Sequence, residues 1–266
     1  MFRVKWDPMN NGILLSEYIE EKDAINSPRP VYVDELKMLG IDEQIVLPTE
    51  NVPVCWEIDH KYYYCGSVIA ETSGGNIYQT PTVKIMDDAV GKFLMPIDIE
   101  LLWKRNENAL STLENEAMDF INEQYEKYQD KPISGYVVAF SGGKDSQVIL
   151  DLVSRVIPPE KYTVVFTNTG MELPCTIDTV ENTEKYYKNM YPEFKLVHAK
   201  SDKDALELWK KYGPPSRFSR WCCSVLKTAL FGRKMKELLK TDKQPKLVVF
   251  EGVRNDESAR RSTYGR

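Results

Sequence analysis

Ser141, Gly142, Gly143, Lys144, Asp145 and Ser146 stand in one uninterrupted run between two apolar stretches. Adjacent glycines let an anion come close to the backbone. Successive N–H groups entering a helix then converge on that anion, helped by the positive end of the helix dipole. Lys144 adds a cation, Ser141 and Ser146 add hydroxyl donors, and Asp145 adds a carboxylate able to hold Mg2+ or to cap the helix start. This is a residue set for phosphate or sulfate esters. It is not a Walker A loop, in which four residues separate the first glycine from the Gly-Lys pair.

The flanking patterns make this run a strand-to-helix turn. Residues 136–140 are β-branched and aromatic, the pattern of a short buried strand. Val148, Ile149, Leu152 and Val153 then recur at helical spacing until Pro158-Pro159. Further strands are expected at 162–167, 194–198 and 247–250. Helices are expected from 146, from about Pro174, around 204–211 and from about 221 to 239. Such alternation predicts an α/β fold with a doubly wound parallel sheet, whose ligands bind beyond the carboxyl ends of the strands. The 141–146 turn lies at one such end. Asn168-Thr169-Gly170 and Glu251-Gly252-Val253-Arg254 lie at two others.

The N-terminal portion reads differently. Tyr62–Tyr64, Gly66–Ala70 and Thr82–Met86 are strand-like, with a turn signal at Ser73-Gly74-Gly75-Asn76. From about Pro96 to Gln129 the pattern is helical, with Leu110, Leu113, Ala117, Phe120, Ile121 and Tyr125 on one face. The expected organisation is a small, mainly β domain at 1–100, a connecting helix at 101–130 packed on both domains, and the nucleotide-type domain at 131–266. The chain has 266 residues, 42% hydrophobic and 28% charged, which suits a folded soluble protein. No apolar run is long enough to span a membrane and no secretory leader is visible, so a cytoplasmic location is expected. Net charge is −5, but residues 213–266 carry 13 Lys/Arg against 5 Asp/Glu. That basic segment suits an anionic ligand, or a nucleic-acid acceptor, reached from its side.

The ordered stretches SGGKDS at 141–146, TNTGMELPCT at 167–176, RWCCSVLK at 220–227 and EGVRNDESARR at 251–261 resemble the phosphoadenosine phosphosulfate (PAPS) reductase family. Its fold is that of the adenine nucleotide α-hydrolases, the PP-loop ATP pyrophosphatases. The resemblance implies an adenosine nucleotide, ATP or PAPS, with phosphates against Ser141, Gly142, Gly143, Asp145 and Ser146. Thr167, Asn168, Thr169, Gly170 and Gly252 would border the nucleotide. Arg220, Lys227, Arg260 and Arg261 would grip phosphate or sulfate, as guanidinium groups do bidentately. Lys144, Asp145 and Arg254 would carry the chemistry, with Mg2+ as the accompanying ion. ATP-using members cleave between the α and β phosphates and transfer the adenylyl group. Sulfonucleotide reductases instead attack sulfur with a C-terminal cysteine, and no cysteine follows Cys223 here. The full SGGxDS form favours adenylyl transfer in sulfur metabolism, with PAPS or adenosine phosphosulfate reduction as the alternative. A nucleotide-binding module without catalysis is a further one.

The five cysteines are odd in number and argue against a disulfide framework. In the resembled family, adjacent cysteines such as Cys222-Cys223 hold an iron–sulfur cluster together with a later Cys-x-x-Cys. Without that pair they read equally as small apolar residues at a helix start. A cluster therefore needs a further C-terminal segment or a partner chain, which would also bring the sulfur donor and cover the sheet edge after Phe250. Cys55, His60 and Cys65 offer three zinc-type ligands at loose spacing. His198, ending an apolar strand, reads as a hydrogen-bonded core residue.

Overall fold

The computed structural model describes residues 2–76, 78–216 and 219–253. The chain divides into two compact units, Met1–Leu113 and Glu114–Arg266.

In the first unit β1 (Arg3–Trp6) and β2 (Ile13–Ser16) form an antiparallel ribbon. Then follow β3 (Arg29–Tyr32), α1 (Val33–Met38), β4 (Pro53–Ile58), β5 (Lys61–Tyr64), β6 (Ser67–Ser73) and β7 (Thr82–Ile85). These five strands pair in chain order as an antiparallel sheet. Two-residue turns set its register: Asp59-His60 and Cys65-Gly66 all have positive φ, the backbone twist that tight hairpins require. Alternate strand residues such as Val54, Tyr62 and Ile69 pack with Val31, Leu36 and Ile41 in a closed core. The long helix α2 (Ile99–Gln129) begins in this unit, and the division falls inside it. Its Arg105 holds the buried Asp7 carboxylate, which also accepts from the Met9 N–H at 2.9 Å. Leu113 and Phe120, placed by sequence on the packed face of α2, are exposed. Ile121 is buried and Ala117 and Tyr125 pack partly against the core, as the pattern expects, while Asn106 and Ala109 are buried earlier in the helix.

The second unit contains β8 (Gly135–Phe140), α3 (Lys144–Val156), β9 (Tyr162–Asn168), α4 (Pro174–Met190), β10 (Leu196–Lys200), α5 (Ala205–Tyr212), α6 (Ala229–Leu238) and β11 (Leu247–Phe250). A π-helical turn, Cys223–Thr228, leads directly into α6. The sheet is parallel throughout, in the order β10-β9-β8-β11. Its two faces show in consecutive residues. Val138, Phe140, Val164 and Phe166 pack against Leu150 and Val153 of α3 and Val180 of α4. Val137, Val165 and Ala199 face Leu230 and Met235 of α6. Helices therefore cover both faces. The chain steps from β8 to one side and later returns to its other side, so the loop after β8 sits at the point where strand order reverses.

Two sequence expectations change here. The third strand runs from Leu196 to Lys200 rather than 194–198, because parallel pairing aligns Leu196 with Val164 and Lys200 with Asn168. Phe194 stays outside the strand and stacks on Tyr187 at 5.1 Å. His198 is not a core residue. Its side chain is 42% exposed, edge-on to Phe166, with Nε2 3.6 Å from Glu184.

Candidate functional site

The loop after β8 is built around one hydroxyl. Ser146 is buried in the first turn of α3; its Oγ donates to the Gly143 carbonyl at 2.8 Å and accepts from the Ser141 N–H at 3.2 Å. Ser141 Oγ lies 3.2 Å from the same atom. Gly142 turns with φ +76°, and a Cβ there would stand 3.1 Å from Thr176 and 3.2 Å from Val180 of α4. Only glycine satisfies both constraints. Gly143 is the N-cap of α3, in extended conformation and without a side-chain cap. The first amides of a helix have no intrahelical acceptor, the arrangement in which helix N-termini bind anions. Lys144 is exposed, its Nζ 3.0 Å from Asp145 Oδ1.

Beside this turn lies a cleft of about 440 Å³. Ala139, Phe140, Val165, Phe166 and Val249 supply its apolar floor, and Phe231 of α6 joins them. Its polar lining is Ser141, Thr167, Glu172, Lys227, Thr228 and Glu251. The π-helical turn carries Lys227 and Thr228 to the cleft; such turns recur at functional positions within helices. A neighbouring polar cleft of about 400 Å³ is lined by Asn168, Thr169 and Gly170 together with residues 200–205. The loop after β9 stands between them. Gly170 has φ +79° and donates to Asn168 Oδ1 at 2.8 Å, while Glu172 Oε1 accepts from Thr169 Oγ1 at 2.8 Å.

Ser141, Thr167 and Lys227, singled out by sequence, thus share one cleft. Asn168, Thr169 and Gly170 line the adjacent one, and residues 142–146 form the turn at its edge. Gly252 lies against the back of that turn: a Cβ there would be 2.6 Å from the Asp145 carbonyl oxygen. Arg220 is exposed. Arg254, Arg260 and Arg261 lie outside the described residues. Glu251, placed by sequence at a strand end, lines the cleft, whereas Glu172, Phe231 and the 200–204 loop were not singled out. The strand-end rule applied to β10 points to that loop, whereas nothing in the periodicity of α6 singles out Phe231.

No group of three or more His, Cys, Asp or Glu able to hold a metal occurs among the described residues. Cys222 is half-buried and Cys223 exposed. Two thiols do not complete a four-ligand cluster. Cys55, His60 and Cys65 do not come together: Cys55 faces the closed core of the first unit, and the other two occupy successive hairpin turns. Burial pushes the Cys55 thiol up to about 12. Because the thiolate is the nucleophile, Cys55 is expected to resist iodoacetamide at pH 8.5 in the folded protein, while exposed Cys175 and Cys223 alkylate. Mass spectrometry before and after denaturation checks this; native labelling of Cys55 at the rate of Cys175 would contradict it.

Fold and site define a parallel α/β domain with a glycine turn at its switch point and an apolar-floored cleft beside it. The phosphoadenosine phosphosulfate reductase domain matches residues 135–265, and this part of the chain belongs to that family. The chain is 33% identical over 207 residues to the uncharacterized protein MJ0973 of Methanocaldococcus jannaschii, covering 76% of this chain and 46% of that one. A match of that length extends into the first unit. It is also 29% identical over 133 residues to an adenosine 5'-phosphosulfate reductase of Geobacillus kaustophilus, covering 47% of this chain and 51% of the reductase. With MJ0066 of M. jannaschii identity is 33% over 167 residues, covering 63% of this chain and 32% of that protein. The chain therefore spans about a third to a half of the length of these relatives. Among solved structures, the NH3-dependent NAD synthetase of Campylobacter jejuni, in complex with nitrate, matches with 14% identity and a TM-score of 0.35, over 49% of this chain and 53% of that one. No helix among the described residues is long and apolar enough to cross a membrane.

Proposed function

We propose that the second unit binds an adenosine nucleotide across the ends of β8, β9 and β11 and cleaves it between the α and β phosphates, transferring the adenylyl group in sulfur chemistry. The observation that carries this reading is the glycine turn that enters α3, with Gly143 as an N-cap that has no side-chain cap, beside a cleft with an apolar floor. The base packs over Ala139, Val165 and Phe231, and the phosphates lie on the turn. An acceptor attacks the α phosphorus, the α–β bridging bond breaks, and pyrophosphate leaves with the bond's electron pair. The turn's amides, Lys144 and Lys227 stabilise that growing charge. Asp145, with the nucleotide's own oxygens, is the carboxylate suited to Mg2+, which neutralises phosphate charge when bound. Arg220 and, from the sequence resemblance, Arg254, Arg260 and Arg261 add phosphate contacts. The basic 213–266 segment suits an anionic acceptor, a nucleic acid included.

A second reading, reduction of a sulfonucleotide, draws on the similarity to adenosine 5'-phosphosulfate reductases. It needs a thiolate to attack sulfur. Incubation with ATP and Mg2+ separates the two: AMP and pyrophosphate support adenylyl chemistry, whereas sulfite released from adenosine phosphosulfate with a dithiol reductant supports reduction. Neither product leaves a binding module.

Lys227 provides the binding test. Lys227→Ala is expected to weaken ATP by about 1.5–3 kcal/mol, roughly ten- to a hundredfold, through loss of a charge-assisted contact. Adenosine, lacking phosphates, is expected to bind unchanged in calorimetric titration. Equal weakening of both would assign Lys227 to supporting the helix.

A further inference from the structure

Taking the cleft as the nucleotide site, we infer that it selects nucleotides with free ribose hydroxyls, reading them through Glu172, and rejects those carrying a 3'-phosphate. The charged residues among its described lining are Glu172, Glu251 and Lys227, two carboxylates against one ammonium. Glu172 is the more constrained carboxylate. Its Oε1 accepts from Thr169 Oγ1 at 2.8 Å and from the Thr169 N–H at 3.3 Å. The Met171 N–H also donates to Thr169 Oγ1, at 3.3 Å, so the loop holds this carboxylate at the cleft wall.

A ribose links base to phosphates and must lie between the apolar floor and the turn at Ser141. Its 2' and 3' hydroxyls are donors, and a carboxylate accepts from them in charge-assisted bonds. A 3'-phosphate reverses that fit. It carries close to two negative charges at pH 7 and offers mainly acceptors. Placed against Glu172 and Glu251 it meets like charge, while Lys227 and the arginines assigned to phosphate serve the 5'-phosphate chain. The substrate class is then ATP or adenosine phosphosulfate rather than PAPS.

The test titrates the full chain with AMP and with adenosine 3',5'-bisphosphate in a calorimeter, using the unaltered protein and Glu172→Gln. Glutamine keeps an oxygen for Thr169, removes the charge and turns the other acceptor oxygen into an NH2 donor. AMP is expected to bind about tenfold tighter than the bisphosphate, and Glu172→Gln to reduce that ratio to about threefold or less. 3'-Deoxy-AMP is expected to lose affinity against the unaltered protein and to lose less against Glu172→Gln. Bisphosphate binding as tight as AMP, or a ratio unmoved by Glu172→Gln, would overturn the inference while leaving the nucleotide site standing. Failure of ATP, AMP and the bisphosphate alike to bind would overturn the nucleotide reading and this inference with it.

Discussion

Gly143→Val is expected to abolish ATP binding while the protein stays folded. Gly143 has φ −86° and ψ 163°, ordinary extended backbone that valine adopts readily. A Cβ there comes no closer than 3.5 Å to Ser141 Oγ, an ordinary contact. Folding therefore has little reason to change. The anion does, because a branched side chain at the N-cap occupies its approach to the first amides of α3. Losing two charge-assisted bonds corresponds to on the order of 3 kcal/mol or more, at least about a hundredfold in affinity. Calorimetry with ATP, beside urea unfolding of the same variant, separates binding from stability. Undiminished affinity would remove the 141–146 turn from the site. Gly142→Val makes an instructive contrast. With φ +76° and Thr176 3.1 Å away, it is expected to damage the fold itself.

Gly252→Ala is expected to destabilise the second unit and loosen the same turn from behind. A single methyl at this position stands 2.6 Å from the Asp145 carbonyl oxygen and 2.9 Å from its carbon. Both are backbone atoms in the first turn of α3, so neither can rotate away. Ile149 adds a contact at 3.2 Å. The segment after β11 must lift off α3, at a cost of about 1–3 kcal/mol typical of overpacking. The expected observations are a lower urea midpoint and weaker ATP binding together. An unchanged midpoint would show that this segment does not rest on α3 in solution.

Gly252 also shows where sequence reading meets its limit. Its place after a strand makes it a ligand-side candidate, whereas its packing against the Asp145 carbonyl, 107 positions away in the chain, is visible only in the fold. Cys55, His60 and Cys65 repeat the lesson: their regular spacing tracks two hairpins, whose alternation sends Cys55 into the core and leaves the other two in turns. His198 changed character for the same reason, since the register with β9 decides which strand residues reach the edge. What the sequence by itself determined is the strand–turn–helix at 141–146, the alternation that makes a parallel sheet, and the antiparallel character of the first unit. Glycine conformation, helical spacing and consecutive amides all act within a few residues, so a local reading reaches them. The tertiary structure alone decided that Ser141, Thr167, Glu172, Lys227 and Glu251 share one cleft, while Asn168 to Gly170 turn to its neighbour. That grouping depends on parallel pairing and helix packing between segments up to about a hundred residues apart, where no local propensity can choose the partner.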